Sequence, residues 1–431
     1  MTTATAHLKR IAVAAVLLLA VTGSTRPLVD PELFEGRAPT AEELRPSVEA
    51  AFKGESVKPG TVASLVLFNR ARRLTLQIFH TGPEHTPTVG NSELQGVPVT
   101  AARAIGNGTP GRVVRVRIGN WPSGLYFARL AAADGRIGFA PVVLAPRRLG
   151  EHRVAVVEPT LTWQAYNLRD DDGDGKGDSW YARWTVHTVR LDRPYLDRGV
   201  PYHFRGYDLP FLHWLSSTGR RADYLSDADL DAISDSHALS RAYDLIVFPG
   251  HHEYVTTHEY GVVQSYRDQG GNLAYLSANN FFWQVIRRGR TIERTSQWRD
   301  LDVPEAALIG TEYRANDGGQ HRGPWIVRNT GAAPWLFART GLADGSTFGN
   351  GGIEIDKTAA SSPPGVHVIA EIPDLLGSGL TAQMTYYETA AGAKVFAAGA
   401  FTLAGEAGRD PVVTQLLANL WDRLSQPQPA P

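Results

Sequence analysis

The chain contains no cysteine, and that absence removes disulfides, thiolate metal centres and every thiol nucleophile at once. A class I amidotransferase, which needs a cysteine at the turn after a central strand, is excluded with them. An excess of one charge is missing as well. The 43 Lys and Arg residues balance 44 Asp and Glu, so there is no basic field of the kind a phosphate backbone demands, and nucleic acid is not an expected partner. The apolar run at the N-terminus, Ile11 to Val21, falls well short of the about twenty residues that span a bilayer. It follows His7-Leu8-Lys9-Arg10 and precedes Thr22-Gly23-Ser24, which is the layout of a secretory signal peptide. Residues 1–25 are therefore expected to be removed. With no cysteine after the run for a lipid anchor, the mature protein is expected to be secreted or extracytoplasmic, without a stable membrane span.

A hydrophobic content of 43% over 431 residues supports two or three packed cores. Residues 26–60 are rich in proline and charge and read as a linker. From 61 to 148 the texture is that of short half-buried strands: Leu74, Leu76 and Ile78 alternate, as do Val114, Val116 and Ile118. Gly124 to Leu144 reads as a hairpin around Asp134-Gly135. The spacing predicts a small immunoglobulin-like β-sandwich. Over 150–426 strands alternate with helices, with a helix at Pro210–Thr218, a buried strand at Tyr243–Phe248, a helix at Glu259–Gln269 and a strand at Asn272–Ser277. The expectation is an open α/β sheet of the glutamine-amidotransferase or flavodoxin-like kind, with right-handed crossovers and ligands bound beyond the carboxyl ends of the strands.

Two such ends carry chemistry. Pro249-Gly250-His251-His252-Glu253-Tyr254 packs two imidazoles and a carboxylate behind the buried strand, and Ala278-Asn279-Asn280 follows the next one. The step from His252 to His258 is six residues, whereas a helical zinc-peptidase motif needs four. No Gly-x-Ser-x-Gly elbow occurs in the α/β region. That leaves Glu253 at the turn, suited to a hard metal ion. A second cation reading lies in Asp170, Asp172, Asp174 and Asp178, which with Gly175 match the first nine positions of a calcium loop. Position twelve is Tyr181 instead of glutamate, and a flexible acidic turn is the other reading of the same run.

The strings TWQAYN (162–167), DRPY (192–195), FLHWLSSTGRRADYLSDADL, YDLIVFPGHHEYVT, GGNLAYLSANNFFWQV and GAKVFAAGAF occur in that order. Together they resemble the catalytic region of the N,N-dimethylformamidase large-subunit family, from about Val154 to Leu424. The resemblance implies a mononuclear, ferric iron held by two tyrosinates and a glutamate, which fall on Tyr166, Tyr195 and Glu253, with Tyr207 as the alternative second tyrosine. It also implies polar partners at His251, Asn279 and Glu354. Phenolate and carboxylate oxygens suit such an ion, and a bound cation favours the ionised phenol. The implied reaction is hydrolysis of the C–N bond of a small amide, with His251 or Glu354 moving protons and Asn279 facing the oxyanion. The rival expectation is an exported, non-catalytic protein that binds carbohydrate or cell wall on the same fold. Association into a homo-oligomer is left open.

Overall fold

A computed structural model describes residues 46–84, 94–183, 185–377 and 379–427. The expected signal peptide at 1–25 and the linker's residues 26–45 lie outside the described residues. Two sheets form the first unit. Ala50–Phe52, Val62–Leu67 and Val113–Arg117 make one; Ser56–Val57, Ile137–Leu144, Gly124–Ala131, Ala71–His80 and Val97–Pro98 make the other, with Arg103–Gly108 also on Ala71–His80. The alternation seen in the sequence is the cause. Leu74, Leu76 and Ile78 from one sheet and Val114 and Val116 from the other are buried in a shared core. The Asp134-Gly135 turn joins an antiparallel hairpin, with Gly135 at a φ of 86°.

The linker boundary differs from expectation. Ala50–Phe52 pairs antiparallel with Val62–Leu67, and Val48, Ala50 and Phe52 all enter the core. A short alternating apolar stretch inside a charged segment was enough to make a strand.

The second unit is built on a nine-stranded sheet in the order Asp223–Ser226, Val154–Glu158, Leu245–Phe248, Asn272–Tyr275, Lys394–Ala397, Ala382–Glu388, His367–Ile372, Arg322–Val327 and Thr347–Gly352. The first five strands run parallel and the rest pair antiparallel. Helices cover both faces. Phe204–Ser217 and Pro411–Leu424 pack on the face of Val154 and Val247, while Thr257–Asp268 packs on the face of Ala155 and Ile246. Both faces being covered explains why Leu245-Ile246-Val247-Phe248 is apolar throughout. Among the described residues, no helix is long and apolar enough to cross a membrane.

The Val154–Glu158 strand has Asp223–Ser226 on one side and Leu245–Phe248 on the other, so the chain changes direction across the sheet there. The loops after Glu158 and Phe248 splay apart and leave a crevice. The short helix Thr160–Ala165 starts in that crevice behind Pro159, which offers no side-chain cap. Asp227, from the neighbouring strand's end, caps it across the gap: its Oδ2 accepts from the Leu161 amide at 2.6 Å and the Thr160 hydroxyl at 3.1 Å.

The helix expected from Pro210 in fact runs from Phe204 to Ser217 with Pro210 inside it. Pro210 cannot donate to the Gly206 carbonyl. Gly405 lies against that oxygen, where a Cβ would come within 2.6 Å. Only a residue without a side chain fits there, and the Gly405 amide itself donates to the Thr402 carbonyl at 3.0 Å; the helix's first turns carry Tyr207 and Asp208.

Burial pushes the Asp227 carboxyl up to about 7, and burial together with the Asp227 charge also raises its neighbour Glu259. A carboxyl raised in the folded state gives stability that is complete below its unfolded pKa, near 4, and is lost as pH rises toward 7. Asp227→Asn keeps the acceptor oxygen and removes the titration. The variant is expected to melt close to the parent at pH 4 and above it at pH 8; thermal melts that differ by the same amount at both pH values would contradict this.

Candidate active site

Glu253 is clamped from both sides of its backbone. Its amide and that of Tyr254 donate to Thr162 Oγ1 at 3.1 and 3.3 Å, and its carbonyl accepts from Trp283 at 2.9 Å. Beyond it, Tyr254–Thr256 pairs in parallel with Trp283–Arg288 in a smaller four-stranded sheet. Glu253 thus sits where the chain passes from the large sheet to the small one, with little freedom to move.

Its carboxylate is buried, and one oxygen accepts from two phenols: Tyr166 at 2.8 Å and Tyr181 at 2.7 Å. The two rings lie 4.1 Å apart between centroids. Behind Tyr181 the hydrogen bonds have one direction. Trp180 Nε1 can only donate and gives its proton to the Tyr254 hydroxyl at 3.0 Å; Tyr254 meets Tyr181 at 2.7 Å and passes its own proton on, and Tyr181 donates to Glu253. Burial, and after it the Glu253 charge, raises all three tyrosines well above the ordinary phenol range. Burial also raises Glu253 against the pull of His251.

His251 Nε2 lies 3.1 Å from Glu354 Oε2 and 3.6 Å from Glu253 Oε2. Burial would lower this imidazole, but the charges of Glu354 and Glu253 outweigh it and leave it above the usual histidine value. His252, one residue on, turns into the interior toward Asp227, and burial holds it down to about 3. Adjacent imidazoles therefore have opposite preferences. Asn279 is left-handed at a φ of 54°, donates its amide to Asp356 at 2.8 Å, and buries a side-chain oxygen with no partner.

A narrow cleft reaches this cluster between Thr162, Trp163, Tyr166, Tyr202, Asp208 and Phe401, with His203 and His251 also on its wall. Asp208 was not singled out from the sequence, because Pro210 concealed the helix that carries it. Its carboxyl lies so close to Gly250 that a Cβ there would meet Oδ1 at 2.0 Å, and burial pushes it up to about 7. His203 is held by burial at about 3, hence neutral.

Of the sequence-derived residues, Tyr166, His251, Glu253 and Glu354 come together. Tyr195 does not join them. Its ring stands edge-on to Trp163 at 6.4 Å and lines a different cleft with Glu55, Gln164 and Arg193. The reason lies in DRPY: the buried Arg193 guanidinium binds the carbonyls of Gln164 at 2.8 Å, Asn167 at 3.1 Å and Asp178 at 3.0 Å, so the motif clasps TWQAYN from behind. Tyr207, the alternative, accepts from Arg322 at 2.9 Å and packs on Phe401. The second phenol on Glu253 is Tyr181.

Tyr181 emerges from the acidic run. Asp170, Asp172 and Asp174 each bring an oxygen within 4.8 Å of the others. Asp178, grouped with them from the sequence, pairs instead with Arg183 at 2.9 Å and accepts the Asp171 amide at 2.7 Å. The aromatic pair Trp180-Tyr181, directly after eleven polar or glycine residues, was the available signal of a segment returning to the core.

A family model described as N,N-dimethylformamidase beta subunit-like, C-terminal, matches residues 113–410. The N,N-dimethylformamidase beta subunits of Alcaligenes sp. and Paracoccus aminophilus are each 23% identical over 342 residues, covering 62% of this chain. The chain spans 43% of the length of these curated relatives. Among solved structures, superoxide reductase (neelaredoxin) from Ignicoccus hospitalis aligns with a TM-score of 0.15 at 16% identity, over 23% of this chain and 79% of its own. A cycloisomaltooligosaccharide glucanotransferase from Paenibacillus sp. gives 0.19 at 10%, over 82% and 69%. Likenesses this slight carry no argument.

Thr162→Val would leave two buried amides without an acceptor, at about 1–3 kcal/mol by denaturant titration, while Thr162→Ser is expected to stay within about 0.5 kcal/mol of the parent. Equal losses in the two variants would show that the hydroxyl is not what clamps Glu253.

Proposed function

This chain belongs to the family described as N,N-dimethylformamidase beta subunit-like, C-terminal, and from that membership and the site's donor set we propose that it is a metal-dependent hydrolase of the C–N bond of a small amide, acting outside the cytoplasm. The observation that carries this reading is the convergence of Tyr166 and Tyr181 on one buried oxygen of Glu253, at 2.8 and 2.7 Å. Three hard oxygen donors at hydrogen-bond spacing, with no sulfur or imidazole among them, fit a hard and highly charged ion, and we assign iron. Two phenolic protons now fill the space between these oxygens, and a cation would take their place. The ion's contribution, when bound, is to polarise the amide carbonyl and acidify a water.

The rest falls to side chains of this protein. Tyr166, Tyr181 and Glu253 fix the ion on a frame that their own hydrogen bonds hold rigid. The aromatic cleft wall of Trp163, Tyr166, Tyr202 and Phe401 admits a small neutral amide and excludes bulk water. His251, charged by Glu354, carries the proton required by the departing amine. Asp208 opens onto the same cleft and exchanges a proton near neutrality, which suits it to return the proton for the next cycle. We assign Asn279 the stabilisation of charge on the carbonyl oxygen, through its side-chain amide.

The protein purified as the full chain is expected to carry near-stoichiometric iron by elemental analysis, to absorb visible light through ferric phenolate, and to release amine from small amides. Glu253→Gln and Tyr181→Phe should each lose the metal or shift the absorption band, with turnover down by about 10²-fold or more. Tyr195→Phe should keep both. Colourless, metal-free protein, or a band lost in Tyr195→Phe and kept in Tyr181→Phe, would overturn the assignment.

A further inference from the structure

The two phenols on Glu253 are not equivalent. Tyr166 has rings on its other sides, Tyr202 at 5.7 Å and His251 at 5.4 Å between centroids. Tyr181 has a third phenol behind it: the Tyr254 hydroxyl lies 2.7 Å from the Tyr181 oxygen, as close as the Glu253 carboxylate on the other side. Tyr254 is wholly buried, in a core with Leu161, Val189 and Ile292. Among the described residues its hydroxyl meets Trp180 and Tyr181 and makes no hydrogen bond to the Glu253 side chain. Its influence on the site therefore passes through Tyr181.

A phenol has one proton to give. Trp180 Nε1, a donor only, occupies an acceptor position on the Tyr254 oxygen at 3.0 Å, and the Arg294 guanidinium stands over the Trp180 ring at 5.2 Å. The other polar neighbour is Tyr181, whose own proton goes to Glu253, so Tyr254 is the donor in that contact. The direction persists when Tyr181 gives its oxygen to a cation, since an oxygen without a proton can only accept. Hydrogen bonds to an ionised acceptor are roughly twice as strong as neutral ones, and at this depth bulk water cannot replace the donor.

We propose, resting on the metal assignment above, that Tyr254 is a positioning residue for the metal centre: its hydroxyl donates to the ligand oxygen of Tyr181, draws electron density from that arm, and leaves Tyr166 the stronger donor of the two. A hydrogen bond on the far side of a ligating atom fixes where its lone pairs point and tunes what it gives to the metal. Such a bond also lowers the energy of the phenolate electrons that give rise to visible charge-transfer absorption. Losing it moves the band to longer wavelength.

Visible absorption of the iron-loaded full chain tests this, together with competition for iron by a chelator. Tyr254→Phe removes the hydroxyl and keeps the ring; its band is expected at longer wavelength and its hold on iron weaker by about tenfold or more. Trp180→Phe disturbs the same core but keeps the donated proton, losing only the indole that polarises it, and should move the band the same way by less. A parent protein without the band overturns the metal assignment, and the proposal with it. A parent band that Tyr254→Phe leaves in place, or that Trp180→Phe moves as far or the opposite way, overturns the proposal alone.

Discussion

A carboxylate taken out of water must find hydrogen-bond donors, and in this protein Glu253 finds two of them on a single oxygen. That requirement organises a large part of the chain. Tyr166 arrives at the end of a helix capped by Asp227, Tyr181 returns from an acidic turn, and Thr162 holds the amide of Glu253 while its carboxylate faces the phenols. Because Tyr181 gives its only proton to the Glu253 carboxylate, it can only accept from Tyr254, so the phenolic protons are ordered before any ligand enters. Order of this kind stiffens a site that has to hold its shape in a low-dielectric interior.

The sheet explains where these pieces meet. Strand order reverses next to Val154–Glu158, and the crevice opened there receives both the Thr160–Ala165 helix and the loop after Phe248. The small sheet built on Tyr254–Thr256 then closes one side. Its core of Leu161, Val189, Tyr254 and Ile292 supports the phenol cluster from below. A site at the junction of two sheets gains rigidity from both, and its residues can be far apart in sequence: Glu354 reaches His251 from a separate two-stranded ribbon, Glu312–Asn316 with Glu354–Lys357.

Much of this was legible in the residues. Alternation in Leu74, Leu76 and Ile78 gave one sandwich strand, and the continuous apolar run before Pro249 gave a central strand, because burial on one face or two leaves those patterns directly. Tyr166, His251, Glu253 and Glu354 were reached through motif resemblance and do come together. Tyr181 was not found, since aspartates at alternating positions resemble an ion loop whether or not one forms, and the pairing of Asp178 with Arg183 is a tertiary choice. DRPY owes its distinctiveness to Arg193, which binds five carbonyls from inside the fold, while Tyr195 stands apart from Glu253 beside Trp163. Asp208 was hidden by Pro210, which cannot donate to the Gly206 carbonyl, while Gly405, far along the chain, packs against that oxygen.

The acidic turn has a closed neck. Where its two ends meet, the Asp178 amide donates to the Arg169 carbonyl at 2.9 Å, and Arg193 grips the Asp178 carbonyl from within. Glycines 173 and 175 at its tip have nothing within 4 Å of where a side chain would begin. Lengthening a loop whose ends are already fastened costs little, since closure entropy grows only with the logarithm of length. The tip is therefore a port in the architecture, a place where evolution or a protein engineer can splice in peptide of almost any length while Tyr181, three residues past the neck, keeps its aim.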